Sequence, residues 1–217
     1  MQIRSKGSDS GSRQMRDTPV VGTLLAVCGL IFLFELGTGN ILINSLALWP
    51  LGLLQAGSLT ASEFRPWQIV TYGFLHGGTL HLVLNLYALW LFGTPLERRW
   101  GAVRFTAFYF TCIIGAALMH LIVAEFALTH GVAAYPVVGA SGGIFGLLLA
   151  FGMLYPERQL LLPLPPVRIE ARWFVLGYGV VELVAGITGT ANGMAHFAHL
   201  GGMLTGYLLL RGAVWFF

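Results

Sequence analysis

The sequence predicts an all-α polytopic membrane protein, in which six transmembrane helices form one bundle and both termini lie in the cytoplasm. The first observation is composition: 56% of the 217 residues are hydrophobic, only 10% are charged, and the mean hydropathy is +0.76. A soluble domain would have roughly a quarter of its residues charged. The second observation is the position of the basic residues, and the third is a set of polar residues inside the apolar segments.

Six apolar segments are candidates for membrane spans, which need about 17 to 25 residues each. We therefore predict one membrane domain over residues 19–217, after a polar cytoplasmic tail over residues 1–18. The apolar run Val20 to Phe34 could be the core of a signal peptide, but no small-x-small cleavage site follows it before Glu35, so a retained first helix is expected. The six segments are Pro19 to Leu36, Phe74 to Leu96, Val103 to Ala124, Ser141 to Leu154, Trp173 to Ile187 and His196 to Val214.

The basic residues predict the orientation of these segments. Short cytoplasmic loops carry an excess of Lys and Arg, and with both termini inside, only Arg65 of the twelve basic residues falls outside. Topology therefore accounts for the net charge of +3, and no nucleic-acid-binding surface is needed to explain it. The basic residues on the cytoplasmic side are Arg4, Lys6, Arg13, Arg16, Arg98, Arg99, Arg104, Arg158, Arg168, Arg172 and Arg211.

The longest external connection, Gly37 to Val70, is apolar but contains no spanning segment. Two interpretations remain open for it. It either lies in the outer membrane interface or forms an ordinary loop with buried leucines.

Polar residues recur in three otherwise apolar fragments: HGGTLHLVLN from His76, GASGGIFG from Gly139 and HFAHLGG from His196. Polar groups at membrane depth are energetically expensive, which makes them functional candidates. The second, fourth and sixth predicted helices all run from outside to inside, so the three fragments fall at one level near the outer face. This convergence predicts a single site.

The residues of that site suit nucleophilic catalysis. Ser141, followed by Gly142 at a helix N-terminus, offers a hydroxyl and backbone N–H groups without helical partners. A hydroxyl needs a nearby base to become a nucleophile, and either His199 or His196 can supply it. His120 and His130 lie near external helix ends and are expected to be solvated or interfacial.

The transition state of such a reaction needs hydrogen-bond donors to its oxyanion. His81 and Asn85 are four residues apart on one predicted helix face and can supply them. The clearly intramembrane acids are Glu35 and Glu182, and neither is expected to complete a triad, so a Ser/His dyad is favoured. Glu182 is expected to pair with a polar neighbour or to tune packing.

Two pairs of glycines flank the site at a spacing of four residues. Small residues at this spacing let helix backbones approach closely in lipid. Gly142 and Gly146, with Gly202 and Gly206, therefore predict close packing of the fourth and sixth helices at Ser141 and His199.

The ordered set of motifs closely resembles the rhomboid family of intramembrane serine proteases, from about Pro19 to the C-terminus. The family pattern is H-x4-H-x3-N on the second helix, G-x-S-G at the start of the fourth and A-H-x2-H-L-x-G on the sixth. This sequence carries it as His76/His81/Asn85, Gly139-Ala140-Ser141-Gly142 and Ala195-His196-x2-His199-Leu200-x-Gly202.

The resemblance implies Ser141 as nucleophile and His199 as general base, with His81, Asn85 and the Ser141 backbone N–H as oxyanion hole. Supporting positions would be His76, Gly139, Gly142, Phe145 and His196. It also implies that Glu97 and Arg99 make polar contacts below the second helix and that Trp67 belongs to an external Trp-Arg pair.

The sequence departs from the family pattern at two positions. Phe145 stands where many relatives have a Tyr packed on the catalytic imidazole, and Gln68 stands where the Trp-Arg pair has Arg. Neither change removes a reacting group, so activity is still expected.

The implied activity is cleavage of transmembrane helices of membrane-protein substrates near the outer face, in the lipid bilayer, without cofactor or metal. A bacterial inner membrane is the simplest location.

One alternative is a non-catalytic rhomboid-like protein that binds membrane helices, although such relatives typically lack the Ser or the His. A less favoured alternative is a His-based haem or ion carrier. Zinc and aspartyl proteases are disfavoured because the sequence has neither H-E-x-x-H nor an intramembrane Asp.

Overall fold

The computed structural model describes residues 17–51, 63–131, 135–163, 166–189 and 193–212. Most of the predicted tail lies outside these residues. The described helices are α1 (Pro19–Thr38), α2 (Ile41–Leu46), α3 (Gln68–Thr71), α4 (Thr79–Trp100), α5 (Ala102–Thr129), α6 (Ser141–Leu154), α7 (Ala171–Thr188) and α8 (Gly193–Gly212). A hairpin of β1 (Gln159–Pro163) and β2 (Pro166–Glu170) lies between α6 and α7.

Four of the described helices, α1, α4, α5 and α7, are long and apolar enough to cross a membrane. Helix α6 is apolar but has only 14 residues, and α8 has 20. A predominantly helical membrane bundle is therefore confirmed. The count of six spans and the cytoplasmic position of both termini stay predictions.

The centre of the bundle is formed by α5, α6 and α8. A side chain on Gly202 would overlap the backbone carbonyl of Gly142, and one on Gly206 would lie 3.2 Å from the Cα of Gly146. Only glycine permits this separation of α6 and α8. The predicted close packing of the fourth and sixth helices is confirmed, and it sets the distance across which Ser141 meets α8.

One end of the bundle carries Arg98, Arg99 and Arg104, and we call it the basic end. Here α1 begins with Pro19, and its first turn has backbone N–H groups without helical partners. The buried carboxylate of Glu97 accepts hydrogen bonds from the N–H groups of Val20 and Val21, each at 2.8 Å. Glu97 thus caps α1 from another helix, as the family resemblance implied for a polar contact at this place.

The hairpin at the basic end was not predicted. In β2, apolar Val167 and Ile169 alternate with Arg168 and Glu170, which is the period of a strand. The register pairs Leu160 with Ile169 and Leu161 with Arg168. Of the basic residues between α6 and α7, Arg168 therefore lies on a strand and Arg158 directly precedes one.

The external connection is tied to the segment before Ser141. Leu48 and Val137 exchange two backbone hydrogen bonds, at 3.1 and 3.0 Å, and Leu48 is fully buried. Ile41 and Leu51 are exposed. The connection therefore contains buried and exposed apolar residues, and residues 52–62 lie outside the described part.

Gln68, which stands where the family pattern has Arg, is completely buried in this connection. Its Oε1 accepts from the backbone N–H groups of Arg65 (3.1 Å) and Trp49 (3.3 Å), and its Nε2 donates to the carbonyl of Glu63 (3.2 Å). The guanidinium of Arg65 lies over the Trp67 ring, 5.4 Å from its centroid. An amide therefore holds the loop where the family pattern has Arg, and a neighbouring Arg supplies the cation against the Trp.

Candidate active site

Ser141 is the first residue of α6. The first hydrogen bond of this helix runs from the N–H of Ile144 to the carbonyl of Ala140, at 3.1 Å. The N–H groups of Ser141, Gly142 and Gly143 therefore precede the helical hydrogen-bond ladder and are available to a ligand. We call the end of the bundle that carries Ser141 the serine end.

The Ser141 Oγ lies 2.8 Å from the Nε2 of His199 on α8. This is hydrogen-bond distance, which is the arrangement a hydroxyl nucleophile needs from its base. The ring of Phe145, one helical turn beyond Ser141, stacks on the His199 imidazole with centroids 4.2 Å apart and planes 7° from parallel. Phe145 therefore occupies the place the resemblance gave to a Tyr ring, and it packs on the imidazole without a hydroxyl.

The other ring nitrogen of His199 meets a carboxylate. Its Nδ1 lies 2.8 Å from the Oε2 of Glu182 on α7, and the Nδ1 of His196 lies 2.6 Å from the same oxygen. Glu182 is buried, with 7% of its surface exposed. The expectation that no carboxylate is placed to complete a triad is wrong, because α7 presents Glu182 to α8.

These contacts determine which nitrogen of His199 carries the proton. An ionised carboxylate only accepts hydrogen bonds, so the Nδ1 of His199 donates to Glu182. The Nε2 of a neutral imidazole is then an acceptor and can take the proton of the Ser141 hydroxyl. The imidazole is thus held in the tautomer that a general base requires.

His81 on α4 lies next to Gly139, two residues before the nucleophile. The backbone N–H of Gly77 donates to its Nδ1 at 3.3 Å, which leaves the proton of a neutral ring on Nε2. A Cβ placed on Gly139 would lie 2.9 Å from that Nε2 and 3.5 Å from the Ser141 Oγ. His81 therefore points a donor into the space beside the hydroxyl. Gly139 has φ +127°, and a side chain there would fill this space.

The other two polar residues of the His76/His81/Asn85 motif are buried. The Asn85 side-chain amide donates to the backbone carbonyl of His81 at 2.9 Å, within α4 and not to Ser141. His76 packs edge-on against His81, with ring centroids 5.3 Å apart, and its backbone N–H lies 3.2 Å from the Glu35 carboxylate. Glu35 thus holds the loop before α4.

The sequence comparisons establish the family of the chain. Residues 63–215 match the Rhomboid domain family. The chain belongs to the rhomboid family. It is 35% identical over 140 residues to mitochondrial Rhomboid protein 1 of Saccharomyces cerevisiae, covering 64% of this chain and 40% of the relative.

Two relatives are named rhomboid proteases. GluP of Bacillus subtilis is 27% identical over 180 residues, covering 82% of this rhomboid and 31% of the relative. GlpG of Yersinia pestis is 23% identical over 191 residues, covering 88% and 61%. The matched part is thus between about a third and three fifths of each relative's length. The family and the membrane-length helices together identify an integral membrane protein of a protease family.

The expected polar neighbour of Glu182 is confirmed, but sequence reasoning missed that this neighbour includes His199, although the sequence does hold a signal for the contact. Helices α7 and α8 are consecutive and joined by a short connection, so residues equally far from that connection lie at one level. Glu182 comes six residues before Thr188, the end of α7, and His199 comes six residues after Gly193, the start of α8. The sequence signal gives only the level of Glu182; the rotation of α7 that turns its side chain toward α8 depends on packing.

Two further histidines of this rhomboid lie on or next to α5. His130 is exposed, as expected, but His120 is completely buried, so the expectation of a solvated or interfacial His120 is wrong. Position near a helix end did not reveal that this face of α5 packs inward.

Glu182, His196 and His199 also form the group that could hold a metal ion, since their ligand atoms lie within 4.8 Å of one another. In the described arrangement both Nδ1 atoms and the Oε2 are joined by hydrogen bonds, and the Nε2 of His199 faces Ser141. Hydrogen bonds therefore account for both Nδ1 atoms and for the His199 Nε2, while the buried Nε2 of His196 has no hydrogen-bond partner in the described part of the chain.

Proposed function

We propose that this rhomboid is an intramembrane serine endopeptidase that cleaves membrane-protein substrates, with Ser141 as nucleophile and His199 as general base. The observation that carries the proposal is the 2.8 Å contact between the Ser141 Oγ and the His199 Nε2. The hydrogen bond of the His199 Nδ1 to Glu182 supports it, because it leaves Nε2 as the acceptor.

In the first half of the reaction, the Ser141 Oγ attacks the carbon of the scissile peptide bond and its proton moves to the His199 Nε2. The resulting tetrahedral intermediate collapses when the C–N bond breaks, and His199 passes the proton to the leaving nitrogen. The products of this half are an acyl-enzyme ester on Ser141 and a free amine. Water then attacks the ester carbon, its proton moves to His199, and Ser141 recovers that proton as the C–O bond breaks.

The negative charge on the intermediate needs fixed donors close to Ser141. The backbone N–H of Ser141 and the Nε2–H of His81 are the two groups that support this role. Asn85 is the proposed third donor, since its amide carries two hydrogens and the bond to the His81 carbonyl uses one. Gly139 leaves room for the substrate backbone beside Ser141, Gly142 lets α6 approach Ala116 of α5, and His76 supports the His81 ring.

The proposed substrate is a transmembrane helix. A helix in lipid satisfies its own amides, so the segment to be cut must unwind before its carbonyl reaches Ser141. The excess of basic residues at the opposite end favours a serine end that faces outward. Water would then enter from that side along the polar histidines and Asn85. A bacterial inner membrane remains the proposed location, and the similar proteins include mitochondrial ones.

The alternative of a non-catalytic helix-binding rhomboid is less well supported, since it gives no reason for a hydrogen-bonded Ser141 and His199. A His-based carrier is also less well supported, because each Nδ1 of the paired histidines is bound to Glu182.

The test is cleavage of a single-span substrate by purified protein in liposomes. Ser141→Ala and His199→Ala should each abolish cleavage, and Ser141→Ala should do so without lowering the unfolding temperature. Thr111→Val is the matched control, since it removes an exposed hydroxyl that bonds only within α5, and it should cleave at the wild-type rate. Cleavage by Ser141→Ala would refute the proposal.

A further inference from the structure

The carboxylate of Glu182 sits where the third member of a serine-protease triad would sit. From this geometry we infer that Glu182 is a positioning residue for His199, so that the catalytic array is Ser141, His199 and Glu182. This inference rests on the proposed function. It goes beyond the dyad, because it adds a group from α7, a helix that contributes nothing to the nucleophile or to the oxyanion donors.

Burial makes the position of Glu182 informative. It is the only acidic residue of α7, and its surface is 7% exposed. A carboxylate in an apolar surround is strongly unfavourable unless it is paired and hydrogen-bonded. Its described partners are both imidazoles of α8, at 2.6 and 2.8 Å. The carboxylate is therefore retained next to the one side chain whose charge changes during the proposed reaction.

Glu182 would act on His199 in two ways. It accepts the Nδ1 proton, which fixes the Nε2 as acceptor toward Ser141 throughout the cycle. It also places a negative charge next to the imidazolium that forms when His199 takes the serine proton. Phe145 stacks on the face of the same ring and so constrains its plane. The role left to Glu182 is to determine the tautomer of the ring and to stabilise its charge.

His196 shares the Glu182 oxygen from the other side. It makes no contact with the Ser141 hydroxyl in the described structure, so its role in this array would be to hold the carboxylate in place. If so, its loss leaves the carboxylate bonded to His199, and the array is weakened but not broken.

A purely structural role for Glu182 makes a different prediction. The two hydrogen bonds of Glu182 also connect α7 to α8, and a helix connection of this kind would lose stability when either side is removed. Under that role, His196→Ala and Glu182→Ala would lower the unfolding temperature to similar extents, and activity would fall only as the folded fraction falls.

The experiment compares Glu182→Ala, Glu182→Gln and His196→Ala in the intact protein in liposomes. It measures kcat and KM for a single-span substrate, the unfolding temperature, and the rate at which a small fluorophosphonate labels Ser141. The labelling rate reports how strongly the serine is activated and does not depend on docking of a helix. Glu125→Gln is the matched control, because Glu125 is an acid on α5 at the same end of the bundle.

Glu182→Ala should lower kcat and the labelling rate together by about 100-fold, less than the roughly 10⁴-fold loss known for triad acids, because Phe145 still orients the ring. KM should change by less than about threefold, as expected when an interaction is made only in the transition state. Glu182→Gln keeps the shape but removes the charge and should lose at least about tenfold. It serves as the main variant if the Ala protein does not fold. Glu125→Gln should match the wild type.

The inference is overturned if Glu182→Gln labels and cleaves at the wild-type rate, or if its loss of activity equals its loss of folded protein and is reproduced by His196→Ala. Failure of the proposed function would look different, since cleavage or labelling would then persist in Ser141→Ala. If cleavage and labelling depend on Ser141 but do not change with residue 182, the inference about Glu182 is wrong and the proposed function stands.

Discussion

Two buried glutamates lie at opposite ends of the bundle and have contrasting partners. At the basic end, Glu97 accepts from the backbone N–H groups of Val20 and Val21. At the serine end, Glu182 accepts from the side chains of His196 and His199. Both carboxylates are hydrogen-bonded twice and both connect different helices. They differ in whether the partner can change its protonation.

Backbone N–H groups keep their protons at every step of any reaction, so Glu97 can only stabilise the start of α1. An imidazole gains and loses a proton, so a carboxylate bonded to it can act on turnover. The chemistry of the partner, and not burial or the number of hydrogen bonds, therefore separates a structural acid from a functional one. Variants at the basic end should therefore change stability, and variants at the serine end should change turnover.

The largest effects short of losing the nucleophile or its base are expected at the proposed oxyanion donors of the serine end. His81→Ala and Asn85→Ala should each lower turnover by about 100- to 1,000-fold, with a smaller rise in the Michaelis constant, because the donors act in the transition state. Steady-state kinetics in liposomes check this. Wild-type turnover in either variant would make that residue a helix-packing group only.

The next effect is expected at the basic end and in stability. Glu97→Ala leaves the N–H groups of Val20 and Val21 without their acceptor, and the free energy of unfolding should fall by about 2 to 3 kcal/mol. Turnover per folded molecule should not change. Equilibrium unfolding in mixed micelles measures this, with the exposed Glu157→Ala as control. A loss of turnover at unchanged stability would break the contrast between the two glutamates.

A smaller effect is expected for His196→Ala. Because the Glu182 carboxylate keeps its bond to His199 in this variant, turnover should fall by less than about tenfold, the equivalent of about 1.4 kcal/mol. His199→Ala, the matched change three residues later, should be inactive. An inactive His196→Ala alongside an active His199→Ala would transfer the role of base to His196.

No effect is expected from metal removal. The ligand atoms of Glu182, His196 and His199 lie close enough to hold an ion, but the proposed reaction uses their hydrogen bonds and needs no Lewis acid. Prolonged treatment with a strong chelator should therefore leave turnover unchanged. A loss of activity that added zinc restores would turn the cluster into a metal centre.

Much of the site was predictable because its motifs fix both residue type and helix level. Ser141 and His199 were expected to meet, and they lie 2.8 Å apart. Phe145 was expected on the imidazole and stacks on it. The glycines at 142, 146, 202 and 206 predicted the approach of α6 and α8, since their spacing has a direct geometric meaning.

Other features depended on packing that the sequence does not specify. Glu182 sits in an apolar helix with no surrounding pattern, so its level could be derived but the direction it faces could not. His120 is buried for the same reason, because the rotation of α5 is set by its neighbours. The role of Gln68 depended on a loop whose contacts come from Trp49, Glu63 and Arg65.

Peptide mapping by mass spectrometry after fluorophosphonate treatment would locate the nucleophile itself. In the wild type we expect one adduct, on the Oγ of Ser141, and labelling should be lost in Ser141→Ala and strongly slowed in His199→Ala. Chemical labelling of a serine other than Ser141, or equal labelling of the wild type and Ser141→Ala, would contradict the proposed protease.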